Sequence, residues 1–141
     1  MTVLIDTCVI LDALQGREPF REDAEQILLA AGTLFSGFTT AKAMTDLWYI
    51  LHRYLHDTDK TRNVLLSLSK LLSVLDTASK DCLSALTAAD IPDYEDAVMM
   101  ATASRTHIDY IVTRNTHDYS LSPVPVLSPA GFLSLLSDNP E

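Results

Sequence analysis

The 141-residue chain is long enough for one domain, and with 48% apolar residues it can bury a core without disulfides or a structural metal. Nineteen acidic residues against ten basic ones give a formal charge of −9 and a pI near 4.7. This charge excludes a protein that holds nucleic acid by net positive charge alone, so a polyanionic substrate would need positive charge from another source. Only four glycines and six prolines also argue against a disordered acidic tail. We expect one folded domain over residues 1–141.

The cysteines and the N-terminal segment indicate the cellular compartment. The two cysteines, Cys8 and Cys82, fall in segments that have the character of core, which favours a reducing cytosol over a disulfide scaffold. The segment Met1–Asp6 has no basic start and reaches an acid after a short apolar run, so it is neither a signal peptide nor a transmembrane segment. We therefore expect a cytoplasmic protein with no membrane partner.

The first half of the chain alternates short apolar runs with amphipathic segments. Apolar residues three and four positions apart predict helices, with Gly32 placed to end the second and Thr39 or Thr40 placed to begin the third. The predicted elements are a strand over Val3–Ile5, helices over Val9–Leu14 and Arg21–Ala31, a strand over Leu34–Phe38 and a helix over Ala41–Leu55.

The second half continues the same alternation. A turn and N-cap cluster over residues 57–59 precedes a leucine-rich helix, and Ser128–Pro129 has the N-cap serine and first-turn proline of a closing helix. The predicted elements are helices over Lys60–Leu72, Ser79–Ala89, Asp93–His107 and from Ser128 to Leu136, and strands over Ser73–Leu75, Tyr110–Thr113 and Val124–Leu127. Strands that alternate with helices predict a three-layer α/β/α sandwich with a central, mainly parallel sheet.

Acidic residues follow the predicted strands, at the edge of a parallel sheet where functional groups collect. Asp6 ends the first strand, Asp96 lies in the first turn of the helix before the fourth strand, and Asp118 follows that strand. Asp46 lies inside the long third helix. Acids that share one cleft repel each other unless a cation offsets their charge. Because carboxylates offer only oxygen, the pattern predicts Mg²⁺ or Mn²⁺, ions that neutralise a phosphate and activate a water.

Four segments resemble the motifs of the PIN-domain ribonucleases, in the order that this family has them. The segments are Ile5–Asp12, Thr45–Leu51, Asp93–Ala97 and Val112–Tyr119. The resemblance spans nearly the whole chain. It implies a PIN-like fold and a divalent-metal-dependent endoribonuclease that hydrolyses RNA phosphodiester bonds. Because such enzymes are often toxins of bacterial toxin–antitoxin pairs, the resemblance also implies an antitoxin partner and a homodimer.

The resemblance also implies the site residues. Asp6 matches the first metal-binding acid of the family and Asp96 the third, so these two are the expected central ligands. Asp46 and Asp118 are expected to complete or orient the metal shell, and all four acids are expected to act in catalysis. The expected supporting residues, which would bond the ligand carboxylates or a substrate phosphate or add an outer ligand, are Thr7, Asp93, Thr113 and Asn115.

Two departures from the family pattern keep a second hypothesis open. Asp46 aligns with a position that is often glutamate, and Asn115 stands where many members have another aspartate. The alternative is a catalytically weak or inactive PIN-like domain that acts as an RNA- or protein-binding module. This alternative predicts metal-independent binding and no cleavage with any divalent ion.

Other classes need residues in places where the chain has different ones. An aspartyl-phosphate phosphatase needs a second aspartate two positions after Asp6, where Cys8 stands. A phosphorylation receiver needs its acceptor after a middle strand, where only Asp76 is available, and a lysine that ends a later strand. His52 and His56 have metal-ligand spacing, but no glutamate follows His52 as in zinc proteases, so we expect packing or surface roles.

Two groups of residues are candidates for binding partners. The leucines of the helix over Lys60–Leu72 exceed what one narrow core stripe needs. Part of that face, with Trp48 or Tyr54, is a candidate surface for a second copy or an antitoxin segment. The bases available for contact with RNA phosphates are Lys42, Arg53, Arg62, Arg105 and Arg114.

Overall fold

A computed structural model describes residues 1–139 of the chain. Helices and strands alternate along these residues, as the sequence predicts. In chain order the elements are β1 (Thr2–Ile5), α1 (Thr7–Gln15), α2 (Arg21–Ala30), β2 (Ser36–Thr40), α3 (Ala41–Leu55), α4 (Thr58–Leu71), β3 (Ser73–Leu75), α5 (Ser79–Thr87), α6 (Tyr94–Arg105), β4 (Tyr110–Val112), β5 (Val126–Leu127) and α7 (Pro129–Asp138). A 3₁₀ helix over Thr116–Tyr119 lies between β4 and β5.

The five strands form one parallel sheet in the order β3-β2-β1-β4-β5. The first strand is thus the middle one, and its residue Val3 pairs with Gly37 of β2 on one side and Tyr110 of β4 on the other. Because parallel strands end at the same edge, the segments that follow β1, β2 and β4 meet there. The predicted parallel sheet is confirmed.

Each face of the sheet carries its own core, which explains why β1 is apolar at consecutive positions. Val3 and Ile5 pack into one cluster with residues of α1, α2, α3, α4 and α7. Leu4, which points the other way, packs with residues of α6 and the segments around β4. All three side chains are fully buried. Helices on both faces give the predicted three layers.

Short polar side chains fix the helix starts. The Thr40 hydroxyl accepts a hydrogen bond from the Ala43 amide at 3.0 Å, and Asp57 accepts one from Lys60 at 2.9 Å. Ser128 does the same for the Gly131 amide at 3.0 Å, ahead of Pro129 at the first helical position. These bonds satisfy amides that have no partner inside the helix. The N-caps predicted at Thr40, in residues 57–59 and at Ser128 are confirmed.

Several predicted boundaries shift by two residues. The second strand covers Ser36–Thr40 instead of Leu34–Phe38, because Leu34 lies exposed in the turn after α2 whereas Thr39 and Thr40 are buried. The helix predicted to reach His107 ends at Arg105, and His107 adopts a left-handed backbone with φ 58°.

The last strand is shorter than predicted, since only Val126–Leu127 of the predicted Val124–Leu127 pair in the sheet. Pro125, which has no amide hydrogen to donate, directly precedes it and contributes only its carbonyl, to the Ile111 amide. Within residues 1–139, none of the helices combines the length and the apolar character needed to cross a membrane.

Candidate active site

A cleft of about 310 Å³ lies where β1 and β2 end and α6 begins. Its polar lining combines the acids Asp6, Asp46, Glu95 and Asp96 with Lys42, Thr7 and two tyrosines, Tyr49 and Tyr119. Three of the four predicted catalytic acids therefore share one cleft. Their elements are far apart in the sequence, and the parallel sheet brings them to the same edge.

Asp6 is the most enclosed of these acids. It follows β1 directly, caps α1 through the Thr7 amide at 2.8 Å, and is 8% exposed. Its other carboxylate oxygen accepts hydrogen bonds from the Thr113 hydroxyl at 2.7 Å and the Cys8 thiol at 3.4 Å. Burial raises the pKa of Asp6, and the donors from Thr113, Cys8 and Thr7 oppose that rise. The carboxylate is thus fixed in orientation, and the positive charge of Arg114 also lowers its pKa without offsetting the effect of burial.

Asp96 lies in the first turn of α6 and is half-buried in the cleft. Burial, together with the negative charges of Asp93, Asp6 and Asp118, raises the pKa of Asp96 to about 6. The buried Tyr119 hydroxyl donates a hydrogen bond to its Oδ1 at 3.2 Å. The effect of Asp6 on this pKa indicates that the two predicted central ligands act on each other through space.

Lys42 is the one cation among the described residues that line the cleft. Its ammonium group forms an ion pair with Asp46, four positions later on α3, and contacts Glu95 Oε1 at 3.1 Å. These two carboxylates lie on different helices, α3 and α6. The positive charge of Lys42 is therefore already shared by Asp46 and Glu95.

The remaining predicted site residues lie around the cleft. Thr113 is fully buried behind Asp6 and accepts a hydrogen bond from the Asn115 amide at 3.0 Å. Asp93 is exposed and caps α6 through the Asp96 amide at 2.9 Å. Asp118 and Asn115 are exposed on the segment after β4 and are not part of the cleft lining. Asp118 still contributes to the raised pKa of Asp96.

The donor set fits a hard divalent ion such as Mg²⁺ or Mn²⁺, because its acidic groups offer only oxygen. Within residues 1–139, however, no three histidine, cysteine or acidic side chains lie close enough to hold an ion together. Magnesium commonly binds through one or two carboxylates and keeps waters or substrate phosphate as its other ligands. Asp6 and Asp96 suit that mode, since burial raises the pKa of each, and the nearby carboxylates raise that of Asp96 further.

A buried ion pair connects the first and fourth motifs behind the cleft. Asp12 of α1 is 1% exposed, and Arg114 donates to both of its carboxylate oxygens. The guanidinium also lies 4.1 Å from the centre of the Phe20 ring. The sequence offers Arg114 as a base that could contact RNA phosphates. In the structure its guanidinium instead forms the ion pair that holds α1 against the segment after β4.

The predicted site leaves out four polar residues of the cleft: Lys42 as an ion-pair partner, Tyr49, Glu95 and Tyr119. The spacing of four between Lys42 and Asp46 is a recognisable sign of a helical ion pair. No such local spacing indicates the hydrogen bond between Tyr119 and Asp96, since these two residues lie 23 positions apart in the sequence. His52 stacks on Trp48 with ring centroids 5.6 Å apart, which is a packing role of the kind expected for it.

A family model for the PIN domain matches residues 2–117, and the chain belongs to this family. The resemblance to the PIN-domain family is thereby confirmed. No curated protein sequence matches the chain.

Solved structures of the same fold include proteins of toxin–antitoxin systems. A toxin–antitoxin complex from Klebsiella pneumoniae is 22% identical with a TM-score of 0.68, over 90% of this chain and 97% of that chain. FitAcB from Neisseria gonorrhoeae is 22% identical with a TM-score of 0.67, over 91% of this chain and 98% of that one. VapC20 of Mycobacterium tuberculosis, a sarcin–ricin loop cleaving toxin, is 14% identical with a TM-score of 0.62, over 77% and 86%. At such low identities the similarity shows the fold.

Proposed function

We propose that the chain is a divalent-metal-dependent endoribonuclease that hydrolyses RNA phosphodiester bonds. The observation that carries this proposal is the pairing of Asp6 and Asp96 in one cleft, where both carboxylates have raised pKa values. Membership of the PIN domain family supports it, as does the RNA-cleaving activity named for the fold relative VapC20. The divalent ion also supplies the positive charge that a polyanionic substrate needs from a chain of net charge −9.

In this proposal the predicted site residues have defined tasks. When bound, Mg²⁺ or Mn²⁺ activates a water and neutralises charge on the scissile phosphate. Asp6 and Asp96 hold the ion, and Thr113 and the Thr7 amide keep the Asp6 carboxylate oriented. The Tyr119 hydroxyl orients Asp96 in the same way. Asp46 and Asp118 complete or orient the surroundings of the ion, with Asn115 and Asp93 as outer groups.

The ion pair of Lys42 with Asp46 favours a second candidate function. A carboxylate held by a lysine has less negative charge to offer a metal ion. If Asp46 is lost to the site, the domain becomes a weak or inactive nuclease that binds RNA or protein. Binding without a metal requirement, and without cleavage, distinguishes this candidate from the enzyme.

The proposal includes a toxin role, with an antitoxin and a second copy of the chain as partners. Structures of the same fold come from toxin–antitoxin complexes. Residues of α3 and α4, including Met44, Trp48 and Leu65, line an apolar groove of about 300 Å³ that a partner could cover. The free thiols of Cys8 and Cys82 suit the reducing cytosol where such pairs act.

Calorimetric titration of the purified protein with Mn²⁺ and Mg²⁺, followed by an assay on structured RNA, tests the proposed function. We expect Asp6→Asn and Asp96→Asn each to weaken metal binding by about tenfold or more, with cleavage lost to match. The matched control is Asp23→Asn, the same chemical change at a half-buried site in the first turn of α2, outside the cleft lining. This control should leave both metal binding and cleavage unchanged.

Two results would contradict the proposed function. Cleavage that survives Asp6→Asn would place the active site elsewhere. A wild-type protein that binds neither Mn²⁺ nor Mg²⁺, yet still binds RNA, would identify the binding module instead of the enzyme.

A further inference from the structure

One face of α3 leads outward from the cleft. Lys42, Asp46, Tyr49 and Arg53 follow one another at spacings of four, three and four residues, so their side chains share a face of the helix. Lys42, Asp46 and Tyr49 line the cleft, and Arg53 lies one turn beyond. At 1.5 Å per residue, this row extends about 16 Å along the helix.

Tyr49 and Arg53 form an exposed aromatic and cationic pair in this row. Tyr49 is 61% exposed, so much of its ring surface is available to a ligand. The Arg53 guanidinium lies 5.4 Å from the centre of the ring, and its Nη1 donates a hydrogen bond to the tyrosine hydroxyl at 2.9 Å. The ring is thus held in place beside a positive charge.

We propose that Tyr49 and Arg53 form a binding site for single-stranded RNA that leads into the cleft, an inference that rests on the proposed ribonuclease function. Unpaired bases stack on exposed aromatic rings, and arginines beside such rings bind the backbone phosphates. In duplex RNA the base faces are already stacked and cannot reach the ring. The site therefore selects an unpaired segment and places it next to Asp6 and Asp96.

Charge favours RNA over a protein partner at this site. Lys42 is engaged with Asp46 and Glu95, so Arg53 is the cation of the row that can receive a phosphate. The apolar groove that suits a protein partner lies elsewhere, because it is lined by Trp48 and residues of α4. Trp48 points about 120° away from the Lys42 face of the helix.

Fluorescence anisotropy with a labelled, unpaired oligoribonucleotide tests the site. Binding is measured in EDTA, where metal-dependent cleavage cannot consume the probe, and again with Ca²⁺. The control for Tyr49→Ala is Tyr54→Ala, since Tyr54 is 59% exposed on another face of the same helix. The control for Arg53→Gln is Arg17→Gln, at an exposed arginine in the loop after α1.

We expect Tyr49→Ala to weaken binding roughly 5- to 100-fold, while Tyr49→Phe retains most of it because the ring remains. Arg53→Gln should lower the salt dependence of binding by about one released ion. Both controls should bind as the wild type does, and a fully paired RNA should bind more weakly than the unpaired probe.

Each contrary result overturns the proposal. These results are no binding by the wild type in either buffer, equal losses for Tyr49→Ala and Tyr54→Ala, or equal affinity for paired and unpaired RNA. If Tyr49→Ala instead dissociates a dimer in sedimentation and leaves RNA affinity unchanged, the face is a protein interface. RNA binding that depends on Tyr49 in a protein that never cleaves would refute the ribonuclease and leave this site standing.

Discussion

Asp96 has a raised pKa because it is partly buried among other carboxylates. Its pKa rises from 3.8 to about 6, because burial and the carboxylates of Asp93 and Asp6 disfavour its charged form. An acid whose pKa is higher in the folded state binds more protons there than in the unfolded chain. Between about pH 4 and pH 6, its contribution to stability therefore falls as pH rises, and it opposes folding at pH 7.

We expect Asp96→Asn, without metal, to be more stable than the wild type at pH 7 by about 1 kcal/mol, since solvent screens part of the repulsion. The gain should shrink as the pH falls through 6 and vanish near pH 4, where Asp96 is protonated in the wild type. Urea unfolding in EDTA across this pH range measures the difference. Asp23→Asn is the control, and a gain that grows toward low pH would refute the assignment.

Single residues also show how far the site can be predicted from sequence. Asp6 and Asp96 could be predicted because the local sequence marks their positions. Asp6 lies at the end of a buried strand, and Asp96 lies in the first turn of a helix. Tyr119 could not, because its bond to Asp96 depends on how the segment after β4 folds back over α6. The position of Asp118, outside the cleft lining, depends on the fold of the same segment.

Among the elements, α5 holds α6, the helix that carries Asp96. Asp81 of α5 is 2% exposed in a predominantly apolar contact between the two helices. Arg105 of α6 donates to both Asp81 oxygens at 2.9 Å, and the Thr102 hydroxyl donates at the same distance. The hydrogen bonds from Arg105 help to hold the pKa of Asp81 below its usual value. The position of Asp96 therefore depends on an ion pair between helices.

We expect Arg105→Met to destabilise the protein by about 3 kcal/mol, because it leaves a buried carboxylate without its partner. The double variant Asp81→Asn with Arg105→Met should recover part of this loss, since the buried charge is then gone. Urea unfolding at pH 7 provides both values. Lys80→Met, next to Asp81 in sequence, is the control and should change stability by less than about 0.5 kcal/mol.

Helix starts were predictable and sheet order was not, for a physical reason. A cap such as Thr40 or Asp57 acts on an amide three residues away, so the signal is present in the local sequence. The order β3-β2-β1-β4-β5 depends on pairs such as Val3 with Tyr110, which are far apart in the chain. The end of β2 at Thr40 likewise depends on its pairing with Leu75 of β3.

At the scale of the whole molecule, the net charge of −9 affects stability as well as binding. Like charges repel in the compact state, and any salt screens that repulsion. The divalent ion proposed for the cleft would add a second, specific stabilisation, because it would bind the folded state only. The two effects can be separated, since only the second depends on the cleft.

We expect Mg²⁺ to raise the unfolding free energy more than Na⁺ does at equal ionic strength. The excess should approach about 2.7 kcal/mol when the free ion is at 100 times its Kd. Thermal unfolding in matched MgCl₂ and NaCl series measures it. Asp6→Asn should lose the excess and keep the general salt effect. An excess that Asp6→Asn retains would show that the ion acts at another place.

The central position of β1 has a consequence for the biosynthesis of the protein. The ribosome makes Asp6 before it makes the β4 strand beside it and the Tyr119 hydroxyl, which come from residues 110–119. A nascent chain that has not yet released these residues has no assembled cleft. Translation thus delays the nuclease proposed here until residues 110–119 have emerged and β4 can pair with β1.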